Sequence, residues 1–272
     1  MQTFYYEADS LLHRLNPLSK VLALMPALIF VALTTDPWTP VAFIGFIAIL
    51  LLTIGKVPLS RLARIAGPIL LMMISFGLIY PFAARADLVS NSPVLFHLGP
   101  LTVYQAGVIN GLIVILRTCA LLSLSLLFTL TTDTSDFIRA MVQQWKLPYK
   151  LGYGALAAFR FLPMLQAEMQ LIQAAHKVRG IADQGGIRVH YDRLRRYAIP
   201  LLATAIRRAE RTALAMDGRA FGVFSTRSYY KQFRFTMPDY LFIAGFWLLN
   251  ILIIVTLWRM GLLGPLSLLQ KV

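Results

Sequence analysis

The chain has 272 residues, 58% of them hydrophobic and only 14% charged, with mean hydropathy +0.67 and net charge +14. Soluble domains carry nearer a quarter charged residues, so this balance excludes an ordinary soluble protein and points to an integral membrane protein. The basic residues gather at the ends of apolar segments and in one long stretch, as the positive-inside rule expects of a cytoplasmic face. No docking motif for nucleic acid accompanies them.

The opening residues Met1-Gln2-Thr3-Phe4-Tyr5-Tyr6-Glu7 lack the basic region, apolar stretch and cleavage site of a signal peptide. The first apolar block, Val21 to Gly55, is broken by Asp36-Pro37-Trp38-Thr39-Pro40, which predicts two helices joined by a tight hairpin. Each half has about 15 residues, or ~22 Å of helix against a ~30 Å hydrocarbon core. They are short spans or a re-entrant pair. Lys56, Arg61 and Arg64 then form a basic link, and Ile65 to Ala84 is the next span, interrupted at Gly67-Pro68 and Gly77. Arg85 to Leu101 is a polar, Pro-containing loop suited to the outer face. Tyr104 to Leu130 is a long helical span holding Arg117 and the single cysteine, Cys119. One cysteine permits no disulfide framework or Cys-based zinc site within one chain. No carboxylate lies in the other apolar runs, so Arg117 snorkels, bonds backbone carbonyls or meets another subunit.

From Thr132 to Met237 there are 17 Lys/Arg against 7 Asp/Glu, which supplies +10 of the net charge. Asp133 to Leu147 predicts a short amphipathic helix, capped by Asp133 or Ser135 and ended by Leu147-Pro148. Lys150 to Val178 is a second helix, with Pro163 as an internal kink and Gly180 just past its end. Gly185-Gly186 is a hinge-like break. Asp192 to Asp217 is a third helix whose Leu202, Ile206, Ala209, Ala213 and Met216 fall on one stripe, with Arg207, Arg208 and Arg211 off it. That alanine-rich stripe, with Ala205 beside it, lets another helix approach closely. Tyr240 to Leu263 is the last span, and Trp38, Trp247 and Trp258 suit interface anchors. The expected fold is therefore an all-α integral membrane protein of about five transmembrane or re-entrant helices plus a cytoplasmic helical coupling arm. Its divisions are 1–131, 132–237 and 238–272, with the N-terminus and arm cytoplasmic and the C-terminus outside.

Enzyme signatures are missing: no phosphate loop, no H-E-x-x-H helix and no G-x-S-x-G elbow occurs. His13, His97, His176 and His190 are scattered singly, without metal-ligand spacing. Proton-coupled carriers and intramembrane aspartyl proteases need carboxylates that the apolar runs lack. Two tripeptides remain, Val178-Arg179-Gly180 and Gly218-Arg219-Ala220, each ending an arm helix. As caps, such arginines gain roughly 0.3–1 kcal/mol from the helix macrodipole. Alternatively, each guanidinium projects from a stiff rod into an acidic or carbonyl-lined groove of a partner, a task for which its planar fork is suited. A different reading, an integral membrane enzyme acting on a lipid or isoprenoid substrate, requires acidic metal-binding clusters near the inner face; the arm's carboxylates are dispersed.

The segment Ser10-Leu11-Leu12-His13-Arg14-Leu15-Asn16-Pro17-Leu18-Ser19-Lys20 resembles the S-x-x-H-x-L-x-P-x-x-K opening of the transmembrane (T) subunits of energy-coupling-factor transporters. The resemblance continues in Leu130-Thr131-Thr132-Asp133-Thr134-Ser135-Asp136 and in Arg160-Phe161-Leu162-Pro163 with Glu168. It ends with Arg208-Ala209-Glu210 leading to Ala215-Met216-Asp217-Gly218-Arg219, so its order and spacing cover essentially the whole chain. It implies a non-catalytic subunit without a cofactor of its own, in a bacterial or archaeal cell membrane. Such a subunit couples two ABC-type ATPases, which bind ATP and Mg, to a small substrate-binding membrane subunit. The cargo would be a vitamin or a cobalt or nickel ion, a thiamine precursor among the candidates. By this likeness Arg179 and Arg219 dock on the ATPases, with Val178, Gly180, Gly218 and Ala220 around them. Ala205, Ala209, Ala213, Met216 and Arg117 would face the substrate-binding subunit. The family's Ala-Arg-Gly pattern is altered here by Val178, Gly218 and Ala220.

Overall fold

In the computed structural model, residues 10–83, 93–98, 101–179, 187–224 and 228–264 are described. Among them the chain forms α1 (Leu11–Arg14), α2 (Pro17–Leu33), α3 (Trp38–Thr53), α4 (Leu59–Ala83) and a hairpin of β1 (Val94–Leu98) and β2 (Leu101–Tyr104). Then follow α5 (Gln105–Thr131), α6 (Thr134–Gln144), α7 (Tyr149–Val178), α8 (Ile187–Asp217) and α9 (Met237–Arg259). Residues 138–233 make one compact unit; the residues before and after make the other. The protein is a helical membrane protein, as its composition requires.

In the apolar unit, α5 and α9 are long and apolar enough to cross a bilayer, whereas α2 and α3 are shorter apolar helices of 17 and 16 residues. Asn16 starts α2 by accepting from the Leu18 N–H, and Pro17 follows where no intrahelical donor is needed. The turn between α2 and α3 is tighter than the sequence suggests. It takes in Thr34 to Pro37, and the Asp36 carboxylate accepts from the Thr39 N–H at 2.7 Å. Pro40 sits inside the first turn of α3, where a missing N–H removes no ladder bond. Pro26 lies deeper, within α2, and cannot bond back to the Leu22 carbonyl; the Trp247 indole N–H donates to that oxygen at 3.3 Å.

Helix α4 begins six residues before the expected span and runs unbroken through Gly67-Pro68. Its start is set by Pro58, whose carbonyl accepts from Arg61 and Leu62, rather than by hydropathy. Gly77 does not interrupt it either; a Cβ there would overlap the Ile115 side chain, so the glycine lets α4 press against α5. The loop expected after α4 contains the β1–β2 hairpin, antiparallel with Val94 opposite Tyr104 and Leu98 opposite Leu101. The core lies between α2, α3, α5 and α9: Ala23, Ala27 and Val31 meet Phe43, Ile47 and Leu51, with Leu124, Leu127, Leu130 and Phe246. In lipid, contact of this kind is stabilised by close packing more than by water release, which favours small residues such as Ala23, Ala27 and Ala120.

The unit 138–233 is built on the two longest helices, α7 with 30 residues and α8 with 31, each ~45 Å long. Helix α6, capped by Asp133 accepting from the Asp136 N–H, buries Ile138, Ala140 and Val142. Gly152 of α7 lies where a Cβ would overlap Val142. Helix α8 starts at Ile187, five residues earlier than expected, and both α7 and α8 continue through their internal Pro163 and Pro200. The Glu168–Arg208 and His176–Tyr197 contacts show that α7 and α8 run in opposite directions.

Candidate functional site: two helix ends and a buried junction

Arg179 is the C-cap residue of α7; its backbone N–H donates to the Ala175 carbonyl and its side chain is exposed. Beside it, Val178 is 89% exposed, an apolar side chain displayed with little upon it from the described residues. Gly180 lies outside the described residues.

Arg219 closes α8 in an equivalent way. The Phe221 N–H donates to Met216 O and the Ala220 N–H to Asp217 O, the paired bonds of a Schellman motif. That pattern makes Arg219 the C-cap and puts Ala220 in the left-handed position, with φ 55°. Phe221 then packs edge-on against Tyr149 and Tyr153 of α7, at ring separations of 5.7 and 5.9 Å. The Tyr149 hydroxyl reaches Gly222 O at 3.4 Å. Gly218 and Arg219 are exposed, with Val223 and Phe224 displayed nearby. Because Phe221 meets the start of α7 and Arg179 ends it, the two arginines lie at opposite ends of the helix pair, on the order of 40 Å apart by helical rise.

The stripe on α8 has no partner among the described residues of its unit. Leu202 and Ile206 are 60% and 58% exposed, Ala209 and Ala213 are exposed, and Ala205 and Met216 are half-buried. The side of α8 turned to α7 carries polar residues instead: Arg208 pairs with Glu168 at 3.4 Å, and Tyr197 meets His176. Arg160 is exposed and apart from this pair.

Arg117 donates from Nη1 to the Thr34 carbonyl at 3.2 Å, so it caps the C-terminal end of the short helix α2. Placement at a helix C-terminus is where a cation is favoured. Trp38 and Trp258 stand near helix ends, but Trp247 lies mid-way along α9. There its indole N–H donates to the carbonyl that Pro26 frees.

A second polar constellation escaped the sequence reading. Lys20, 1% exposed, donates from Nζ to Thr131 O at 2.6 Å, Thr131 Oγ1 at 3.3 Å and Thr132 Oγ1 at 3.2 Å. Asp239, 2% exposed, takes two donors on each oxygen: Asn16 N and Ser19 Oγ on one, Thr236 N and Thr236 Oγ1 on the other. Ser10 and His13 bond to each other at 2.7 Å just before it. The N-terminal motif therefore serves to build a junction. Asp239 was detectable in the sequence as the far end of a Thr236-x-x-Asp239 capping box, although it lay one residue outside the expected span. Among the described residues no group of three His, Cys, Asp or Glu side chains is placed to hold a metal ion.

Comparison with known proteins adds to this geometry. The CbiQ family, described as cobalt transport protein, matches residues 8–230. The chain is 27% identical to the energy-coupling factor transporter transmembrane protein EcfT of Bacillus subtilis (strain 168) over 243 residues, 86% of this chain and 89% of that protein. It is 30% identical to the EcfT of Acidaminococcus fermentans, covering 80% of this chain and 81% of that one. It is 27% identical to that of Streptococcus thermophilus, covering 92% and 95%.

Proposed function

The chain belongs to the CbiQ family, and from that premise we propose that it is the energy-coupling transmembrane subunit of an energy-coupling-factor importer. It is a non-catalytic part of the transporter. Two ABC-type ATPases, carrying ATP and Mg, grip the arginine ends of α7 and α8 on the cytoplasmic side. A small substrate-binding membrane subunit lies on the exposed alanine stripe of α8. ATP binding draws the ATPases together and moves the two gripped ends relative to one another. Two ~45 Å rods transmit that movement with little loss, because a hydrogen-bonded helix yields less than a loop. The stripe carries it to the binding subunit, which turns its cargo, a vitamin or related micronutrient such as a thiamine precursor, toward the cytoplasm.

The observation that supports this most is the pair of exposed C-cap arginines at opposite ends of one helix pair, each beside displayed apolar side chains. A cap that served only its own helix would need neither that spacing nor those neighbours. Arg179→Ala and Arg219→Ala should each lower ATP-driven uptake at least about tenfold, the loss of one charged contact worth ~1.4 kcal/mol or more. The amount of protein in the membrane should not change. Normal uptake by either variant would reduce that arginine to a helix cap.

A further inference from the structure

The chain leaves the apolar unit after Phe137 and re-enters it at Arg234, and one short N-terminal segment holds the end of α5 and the start of α9 that flank these points. Ser19 and Lys20 are neighbours in the first turn of α2. Ser19 faces Asp239 at the start of α9, and Lys20 faces Thr131 and Thr132 at the end of α5. The ammonium has three protons and three oxygens within reach, two of them on Thr131. The last carbonyls of a helix lack intrahelical donors and carry the negative end of its dipole, so the end of α5 suits a cation. Asp239 is filled as completely, and two of its four donors come from the Asn16–Ser19 turn.

Burying two charges is a poor route to stability, since apolar side chains of similar size usually do as well. What such a network supplies is a single arrangement, because removing any member strands another in the interior. We propose that Lys20 and Asp239 are positioning residues that clasp the two roots of the arm, Thr131–Thr132 and Thr236–Asp239, at a fixed separation while ATP-driven force acts on the arm. The clasp rests on the coupling function proposed above. Without it, force applied at the arginine ends would splay the roots instead of moving the stripe.

The test uses the full chain, purified with its ATPases and placed in lipid vesicles. Cys119 is replaced by Ser, and spin labels are attached at Thr134→Cys and Arg234→Cys, both exposed positions outside the network. With Lys20 and Asp239 intact, the label-to-label distance distribution should stay narrow with and without ATP. In Lys20→Met or Asp239→Asn it should widen at least about twofold, and further on adding ATP. Retained ATPase and its hydrolysis rate should stay within about twofold of the parent. Should both variants fail to fold, Thr132→Val, which removes one acceptor, should give an intermediate width. An unchanged width overturns the clasp, and so does a widening that ATP does not increase, since that marks packing alone. Failure of the parent chain to retain any ATPase would instead overturn the coupling function, and an unchanged width without ATP would still overturn the clasp by itself.

Discussion

Ala220 stands where helices that end in a Schellman turn usually place glycine, and its φ of 55° carries a steric cost for any residue with a Cβ. Ala220→Gly removes that cost but gives the unfolded chain more freedom, leaving a net gain of roughly 0.5 kcal/mol. A rise of about 1–3 °C in the thermal midpoint in detergent is the expected result. Ala220→Val should move it the other way, because a β-branched residue tolerates the left-handed region least. The strain itself was not legible in the sequence, which showed only a departure from Ala-Arg-Gly. That both arginines end helices was legible, from Gly180 after one and the close of the apolar stripe before the other. Arg117 was legible as a burden but not as to its partner, because the sequence cannot tell that α2 stops within its reach. Lys20 and Asp239 are 219 positions apart, a separation at which hydrogen bonding leaves no periodic trace.

At the scale of elements, the end of α8 is joined to the start of α7 through Phe221, Tyr149 and Tyr153, so the Arg219 turn is held by a neighbouring rod as well as by its own hydrogen bonds. Edge-on aromatic pairs contribute about 0.5–1.5 kcal/mol each beyond their buried area. If the contact matters by aiming Arg219, then Phe221→Ala should weaken ATPase retention, yet add little in a chain already carrying Arg219→Ala. Additive losses in that double-mutant comparison would mean that Phe221 supports the fold independently. Both rods were legible: Pro148 and Gly180 bracket α7, and apolar spacings of three and four from Leu202 to Met216 mark α8. The start of α7 was placed within one residue, but α4 begins six residues early, at a turn where the Pro58 carbonyl accepts from Arg61 and Leu62, and α8 begins five residues upstream of the expected Asp192. The stripe on α8 was foreseen as a packing face; that it would face away from α7 was not, since α7 takes the polar side through Glu168 and Arg208.

On the scale of the whole molecule, the ends of the apolar helices sort into two sets. Asn16, Thr131 and Asp239 are joined in one polar junction, while Gly264, beyond α9, approaches Thr35 and Asp36 at the α2–α3 turn. A helix that starts in one set and finishes in the other crosses the apolar unit, as α9 does. The segment between Thr132 and Met237 begins and ends at the first set, with Arg139, Lys146, Arg227, Lys231 and Arg234 close to the spans, and from the charge rule we propose that this set faces the cytoplasm. With Cys119 replaced by Ser, Val178→Cys should react with a membrane-impermeant maleimide in inside-out vesicles and not in intact cells. Met260→Cys, 71% exposed at the far end of α9, should show the reverse. Labelling of both positions from one side would mean that α9 does not cross. Labelling of Val178→Cys from outside would separate the arginine ends from any cytoplasmic ATPase and leave the rods without a motor.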